Sequence, residues 1–355
     1  MASESLPATA GSLASMEHLG LVGLPESGHT GVFAALTGHD AANAGDRVLG
    51  AVAIPDERLD RLAAMSKSKN VVRASFQVAM LPALSTEAGK GMGSRLLGSL
   101  RDCDALLLVV RAGEGHDPAQ ELTALEEELI LADLGSVEGR LYKQRRAAKG
   151  DKSLGAEIAT LERAEAVLGD GIPIYRSDLG PEDRANLEPV FLLTNKPALV
   201  VVNIDVDQLD DADRIVEPFG DDALAVCVEL EGDPEVVAAE GDERAQLLAD
   251  LGVPESVVPR LARSALHLLG RNTFLTTGDK ESRAWTFRAG STAPECAGVI
   301  HSDLQRGFIR AEIIDWEELL EIGSWAKAKE LGKLRVEGKD YVVQDGDVLE
   351  IRFNV

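Results

Sequence analysis

Cysteine is scarce in this sequence: Cys103, Cys227 and Cys296 lie far apart, with no Cys-x-x-Cys pair among them. Such spacing offers neither a disulfide framework nor a zinc site, and it suggests a reducing compartment. No apolar run approaches the roughly 18 residues of a membrane span. The stretch MASESLPATAGSLAS at the start lacks both a basic beginning and a long apolar centre, so it does not read as a secretory signal. Residues 1–16 read instead as a disordered tail. Positive charge is also in short supply. The chain has 36 Lys and Arg against 60 Asp and Glu, a formal net charge of −24 and a pI of about 4.6. That balance works against non-specific attraction to nucleic acid or an anionic membrane, except through a local basic patch. Apolar residues, by contrast, make up 45% of the 355 residues, enough for a soluble globular protein of two or three domains. The expected location is the cytoplasm.

One stretch organises the rest: Gly23-Leu24-Pro25-Glu26-Ser27-Gly28-His29-Thr30, followed by Gly31. It comes after the apolar run Leu19–Val22 and leads into Val32–Leu36, which reads as a helix start. Strand, glycine turn and helix N-terminus are the parts of a phosphate-binding loop. Gly23 and Gly28 take the glycine positions of G-x-x-x-x-G-K-[ST], and Thr30 takes the hydroxyl position that meets Mg²⁺. The lysine position holds His29. Backbone N–H groups at a helix N-terminus attract anions without any side chain. A histidine is nevertheless shorter than lysine and mostly neutral near pH 7. Taken alone, the octapeptide fits either a nucleotide site or a strand-to-helix turn that binds nothing.

Further along, Ala51–Ile54 and Ser75–Leu81 read as strands, with a short helix over 55–64 between them. Asp104–Val110 and Leu199–Ile204 are continuous apolar runs suited to strands buried on both faces, which points to a parallel α/β sheet. Between those two runs the composition changes. Glu121–Leu134 is leucine-periodic, 139–152 is basic, and Leu154–Leu168 is again helical in pattern. This predicts an antiparallel helical pair with a basic cluster of Arg140, Lys143, Arg145, Arg146 and Lys149 near its tip. A charge run is usually a solvated helix surface, yet in so acidic a chain this one is the best place to meet RNA or another acidic partner. From Arg271 onward, Thr273–Thr276 and Ala284–Phe287 read as strands and Glu317–Leu331 as helix. Tyr341–Val343 and Val348–Phe353 around Asp345-Gly346 read as a hairpin.

This order of parts resembles the YchF family, the Obg-like P-loop ATPases. The resemblance rests on Gly23-Leu24-Pro25, Pro55-Asp56-x-Arg58-Leu59, Gly89-x-Gly91-x-Gly93 and Leu131-Ala132-Asp133-Leu134. It is strongest towards the end of the chain, in Arg283-Ala284-Trp285-Thr286, Ile300-His301-Ser302-Asp303, Gly307-Phe308-Ile309-Arg310-Ala311 and Phe353-Asn354-Val355. It implies a P-loop NTPase-like (Ras-like) parallel-sheet domain over 17–120 and 190–270. A helical coiled-coil insertion over 121–189 would interrupt it, and a C-terminal β-grasp (TGS, ubiquitin-like) domain over 271–355 would follow. It also implies association with ribosomes in the cytoplasm, and ATP or GTP with Mg²⁺ as the ligand.

The departures from the family pattern cluster where the family does its chemistry. His29 replaces the loop lysine, and the D-x-x-G of the second phosphate motif reads Val78-Ala79-Met80-Leu81. The stretch about 43–50 lacks the threonine of the first switch. The base-reading N-x-x-E reads Asn203-Ile204-Asp205-Val206, in which Asp205 alone is placed to pair with a guanine edge. Phosphoryl transfer rests on positioning and on cations at the phosphate, and the lysine, the second-motif carboxylate and the switch threonine are missing together. The expectation is a degenerate member, a pseudo-NTPase, its vestigial site formed by Gly23, Ser27, Gly28, His29, Thr30, Gly31 and Asn203. Three roles follow: an interaction protein docking on ribosome or RNA through the basic tip, a residual NTPase or NTP sensor using Thr30 and Lys90, or a protein-binding subunit. Neither DNA nor membrane is an expected partner.

Overall fold

A computed structural model of the chain describes residues 18–39, 47–84, 93–150, 152–239, 241–253 and 256–354. Most of the expected first-switch stretch, and Gly89, Lys90 and Gly91 of the second glycine loop, lie outside the described residues. The strands, in chain order, begin with β1 (His18–Gly23), β2 (Val48–Ala53), β3 (Asn70–Val72), β4 (Ser75–Met80), β5 (Ala105–Arg111), β6 (Ala198–Asn203) and β7 (Leu224–Val226). They continue with β8 (Arg271–Thr276), β9 (Glu281–Arg288), β10 (Phe308–Asp315), β11 (Arg335–Glu337) and β12 (Asp347–Phe353). The chain forms two compact units, Glu17–Val52 with Gln77–Leu269, and Ala53–Phe76 with Gly270–Val355.

In the first unit the sheet order is β2-β4-β1-β5-β6-β7. β1 pairs in parallel with both β4 and β5, and β5, β6 and β7 continue the parallel ladder. Residues Ala105–Val110 of β5 have no solvent exposure at all, as a strand covered on both faces requires. The loop helix α1 (His29–Thr37) starts at the carboxyl end of β1. In parallel sheets, ligands bind outside the carboxyl ends of the strands where successive connections diverge, and β1 lies between β4 and β5.

The helical insertion is present. Three further helices of this unit and its neighbour, α2 (Glu57–Ser66), α3 (Ser94–Arg101) and α4 (Pro118–Ala147), precede α5 (Gly155–Gly169), which packs against α4. Asp117 caps α4 by accepting the Ala119 and Gln120 N–H groups, with Pro118 at the first helical position. Val137 and Leu141 of α4 share a dry core with Leu161, Ala164 and Leu168 of α5. The insertion is tied down by Asp133, which is 1% exposed. Its carboxylate accepts the Leu193 N–H at 2.8 Å, and the Thr194 N–H and hydroxyl at 2.7 Å each. Burial pushes this carboxyl above its ordinary range, and the three donors pull it back.

The second unit holds the sheet β11-β10-β12-β8-β9-β3 over a core that includes Phe274, Phe287, Ala297 and Ile313. Two sequence expectations are corrected here. Tyr341–Val343 does not pair with β12: Val342 bridges Thr292, and β12 lies between β10 and β8. The reason is a pair of carboxylates that shape the turn. Asp345 accepts the Thr273 N–H, while the buried Asp347 accepts the Gln344 N–H and the Tyr341 hydroxyl. The helix expected over Glu317–Leu331 is two helices, Trp316–Ile322 and Trp325–Glu330. The first ends at Gly323, and Ser324 caps the second through the Lys327 N–H.

The Asp133 network yields a stability test. Asp133→Ala leaves two buried N–H groups without acceptors, and each such group costs on the order of 1–3 kcal/mol. We expect a loss of about 3 kcal/mol in urea unfolding. A loss within error of zero would mean that water reaches Leu193 and Thr194.

Candidate functional site

The loop Leu24–Gly28 closes on itself before α1 begins. The Ser27 N–H turns back to the Leu24 carbonyl at 3.2 Å, and the Gly28 carbonyl accepts the Gly31 and Val32 N–H groups. Gly28 has φ 84°, a left-handed conformation, and a Cβ there would lie 2.3 Å from the Asn203 amide nitrogen. Only glycine satisfies both conditions. Gly31 is held equally closely, since a Cβ would fall 1.9 Å from a Val228 methyl. Asn203, at the carboxyl end of β6, clamps the loop from the far side. Its amide donates to the Ser27 carbonyl at 3.2 Å, and its oxygen accepts the Val228 N–H at 3.2 Å. Gly23, Ser27, Gly28, His29, Gly31 and Asn203 are thus brought together, with Thr30 partly exposed in the first turn of α1.

The decisive side chain is His29. It occupies the lysine position, and its ring is buried and engaged within the chain. The residue is 8% exposed, its Nδ1 lies 3.2 Å from the hydroxyl of the fully buried Ser27, and the ring hydrogen-bonds to the Leu81 backbone. Burial lowers its pKa below the ordinary 6.5, against the opposing pull of the Leu81 bond, so the ring is neutral at neutral pH. Val78 and Leu81 are both fully buried, with Leu81 in the hydrophobic core behind the sheet. The Leu81 N–H, in the position where the family pattern has a glycine N–H for the γ-phosphate, is bonded to the Leu21 carbonyl at 3.3 Å.

The base-reading end is altered in the same way. Val206 is partly exposed, and Asp205 caps the short helical segment Val206–Asp211 in a reciprocal arrangement with Gln208. The Asp205 carboxylate also lies 3.4 Å from Arg111, so it is engaged within the chain. Sequence reasoning missed Arg111, which stands at the carboxyl end of β5 with no motif to mark it. It also missed Val228, whose contact with Gly31 depends on the fold alone. His301 and Asp303, in the other unit, form a helix cap: the His301 ring accepts the Asp303 N–H.

At the insertion tip the five basic residues divide into two groups. Arg140 pairs with Glu157 at 2.7 Å and Arg145 with Glu162 at 2.8 Å, both across to α5. Lys143, Arg146 and Lys149 are exposed and make no ion pair among the described residues. Sequence reasoning treated the five as one patch because the α4–α5 register cannot be read from composition.

The buried ring predicts a pH dependence. A histidine whose folded pKa is depressed contributes stability that is complete above the unfolded value of 6.5 and is lost as pH falls towards the folded value. Urea midpoints measured at about pH 7.5 and about pH 5 should therefore fall less in His29→Gln than in the parent. Equal slopes would place a water-exposed ring at this position.

The chain was compared with known proteins. A family model described as "YchF-GTPase_C: Protein of unknown function (DUF933)" matches residues 272–354. The Bacillus subtilis (strain 168) protein named "Ribosome-binding ATPase YchF" is 38% identical, over 95% of this chain and 99% of that protein. The Escherichia coli O157:H7 protein of the same name is 35% identical with the same coverage. The structure of the Schizosaccharomyces pombe YchF GTPase superposes with a TM-score of 0.81 at 26% identity, covering 96% of this chain and 99% of that one. Since relatives 35% and 38% identical match 95% of its length, the chain belongs to the YchF family.

Proposed function

We propose that this chain is a YchF-family protein whose nucleotide site no longer hydrolyses ATP or GTP, and that it acts in the cytoplasm as a ribosome-associated interaction protein. The observation that carries the reading is the buried, internally bonded His29 ring in the lysine position. Phosphoryl transfer depends on positioning and on cations at the developing phosphate charge. Here the residue in the lysine position is neutral and buried against Ser27 and Leu81. The second-motif positions are core residues, and the Leu81 N–H is already committed. Each lost oxyanion-type donor commonly raises a barrier by ~3 kcal/mol, and several are lost together. The residues present therefore do not fit a catalytic Mg²⁺–nucleotide complex, although Thr30 keeps its hydroxyl. Gly23, Ser27, Gly28, His29, Thr30, Gly31 and Asn203 form a vestigial site with at most weak affinity for ATP or GTP.

Ribosome association is supported by the printed names of the bacterial relatives, each called a ribosome-binding ATPase. The contact is assigned to the basic tip of the insertion, with the C-terminal TGS-like domain as a further surface. Since Arg140 and Arg145 are spent on α5, Lys143, Arg146 and Lys149 supply the free charge.

Two measurements test this reading. Purified protein should give no Mg²⁺-dependent turnover of ATP or GTP above background, and His29→Lys alone should not restore it. A steady turnover that disappears in Thr30→Ala would overturn the loss of catalysis. Independently, replacing Lys143, Arg146 and Lys149 together with Gln should abolish ribosome co-sedimentation at low salt while leaving the circular dichroism spectrum unchanged. Phosphate contacts of this kind weaken steeply with salt. Unaltered co-sedimentation with the same salt dependence would move the contact away from the tip.

A further inference from the structure

Tyr142 sits beside Leu141 on α4, but the two side chains face opposite ways. Leu141 is 1% exposed in the α4–α5 core, whereas Tyr142 is 64% exposed. The other two tyrosines are anchored by carboxylates: Tyr175 donates its hydroxyl to Glu126 and Tyr341 to Asp347. Tyr142 has no such anchor. Among the described residues, its ring and hydroxyl meet Arg146, one turn on, with the guanidinium carbon 5.6 Å from the ring centroid and a nitrogen 3.4 Å from the hydroxyl. Arg146 follows Tyr142 at a spacing of four residues, so the two share one face of α4, and Lys149 stands in the turn just past the helix end. Arg140 and Arg145 are drawn off to Glu157 and Glu162. Among the described residues, the positive charge of the tip that makes no ion pair thereby stands beside an exposed aromatic ring.

We propose that Tyr142, with Arg146 alongside, is a stacking platform for an unpaired RNA base, flanked by Lys143 and Lys149 as phosphate contacts. The proposal rests on the tip being the RNA-facing surface. An exposed aromatic face next to an unpaired guanidinium matches the way single-stranded nucleic acid is held, by base stacking combined with charge along the backbone. A duplex keeps its bases stacked on one another, so a ring standing on a convex helix reaches only a base that has left the stack. A protein partner rich in acids would meet the same lysines but has no use for the aromatic face.

The test uses the full chain and two probes of about ten nucleotides: oligoadenylate, and an abasic ribose-phosphate oligomer of the same charge. The parent should bind oligoadenylate more tightly than the abasic oligomer. Tyr142→Ala should weaken oligoadenylate binding by about 5- to 150-fold with an unchanged salt slope, and leave the abasic oligomer unaffected. Tyr142→Phe should bind as the parent does, and Tyr142→Leu as Tyr142→Ala does. The platform is overturned if Tyr142→Ala binds oligoadenylate like the parent, if the parent does not distinguish the two oligomers, or if Tyr142→Leu matches Tyr142→Phe. If that happens while the triple Gln variant still loses ribosomes, the tip reading survives without the platform. If the parent binds neither ribosomes nor oligomers, both readings fall.

Discussion

The fold of the larger unit follows from β5. Six consecutive residues that cannot meet water must be covered on both faces, and a parallel sheet achieves this only by sending each connection across a face as a helix. All strand ends of one polarity then lie along one edge. Gly23 of β1, Arg111 of β5 and Asn203 of β6 become neighbours there, although they are far apart in the chain. Asn203 uses both ends of its amide to fix the loop to the Val228 segment. The site is therefore a by-product of burying β5, and its shape does not depend on what the loop side chains can do.

Much of this was legible in the sequence because burial on two faces leaves an unbroken apolar signature, as in Ala105–Val110 and Leu199–Val202. The loop glycines were legible for a related reason, since close approach and left-handed backbone demand a specific residue type. What escaped was decided by long-range pairing. β3 reads Asn-Val-Val with two exposed residues and no alternation, yet it completes the sheet of the second unit by pairing with β9. The hairpin reading of Tyr341–Phe353 failed because an Asp-Gly turn signal says nothing about which strand the following residues join. The burial of the His29 ring escaped as well. A spacing pattern identifies the residue but not the direction of its ring, which Ser27 and the Leu81 backbone determine.

Charge is distributed with similar economy at the insertion. Two of the five arginines and lysines near the tip zip α4 to α5, an exposed arrangement that contributes little to stability. Their effect is to sort the cations into those that hold the hairpin and those that face outward. The dry contacts of Val137, Leu141 and Leu161 hold the helices together, which leaves the outer face of α4 free of structural duty.

The self-satisfied loop has a thermodynamic consequence. A protein whose native state alone binds a ligand gains stability with the concentration of that ligand. In this chain several groups around the loop answer to one another: Ser27 to His29, Leu81 to Leu21, and Asn203 to the loop itself. On the proposed reading, its folded population is uncoupled from the cellular supply of nucleoside triphosphate.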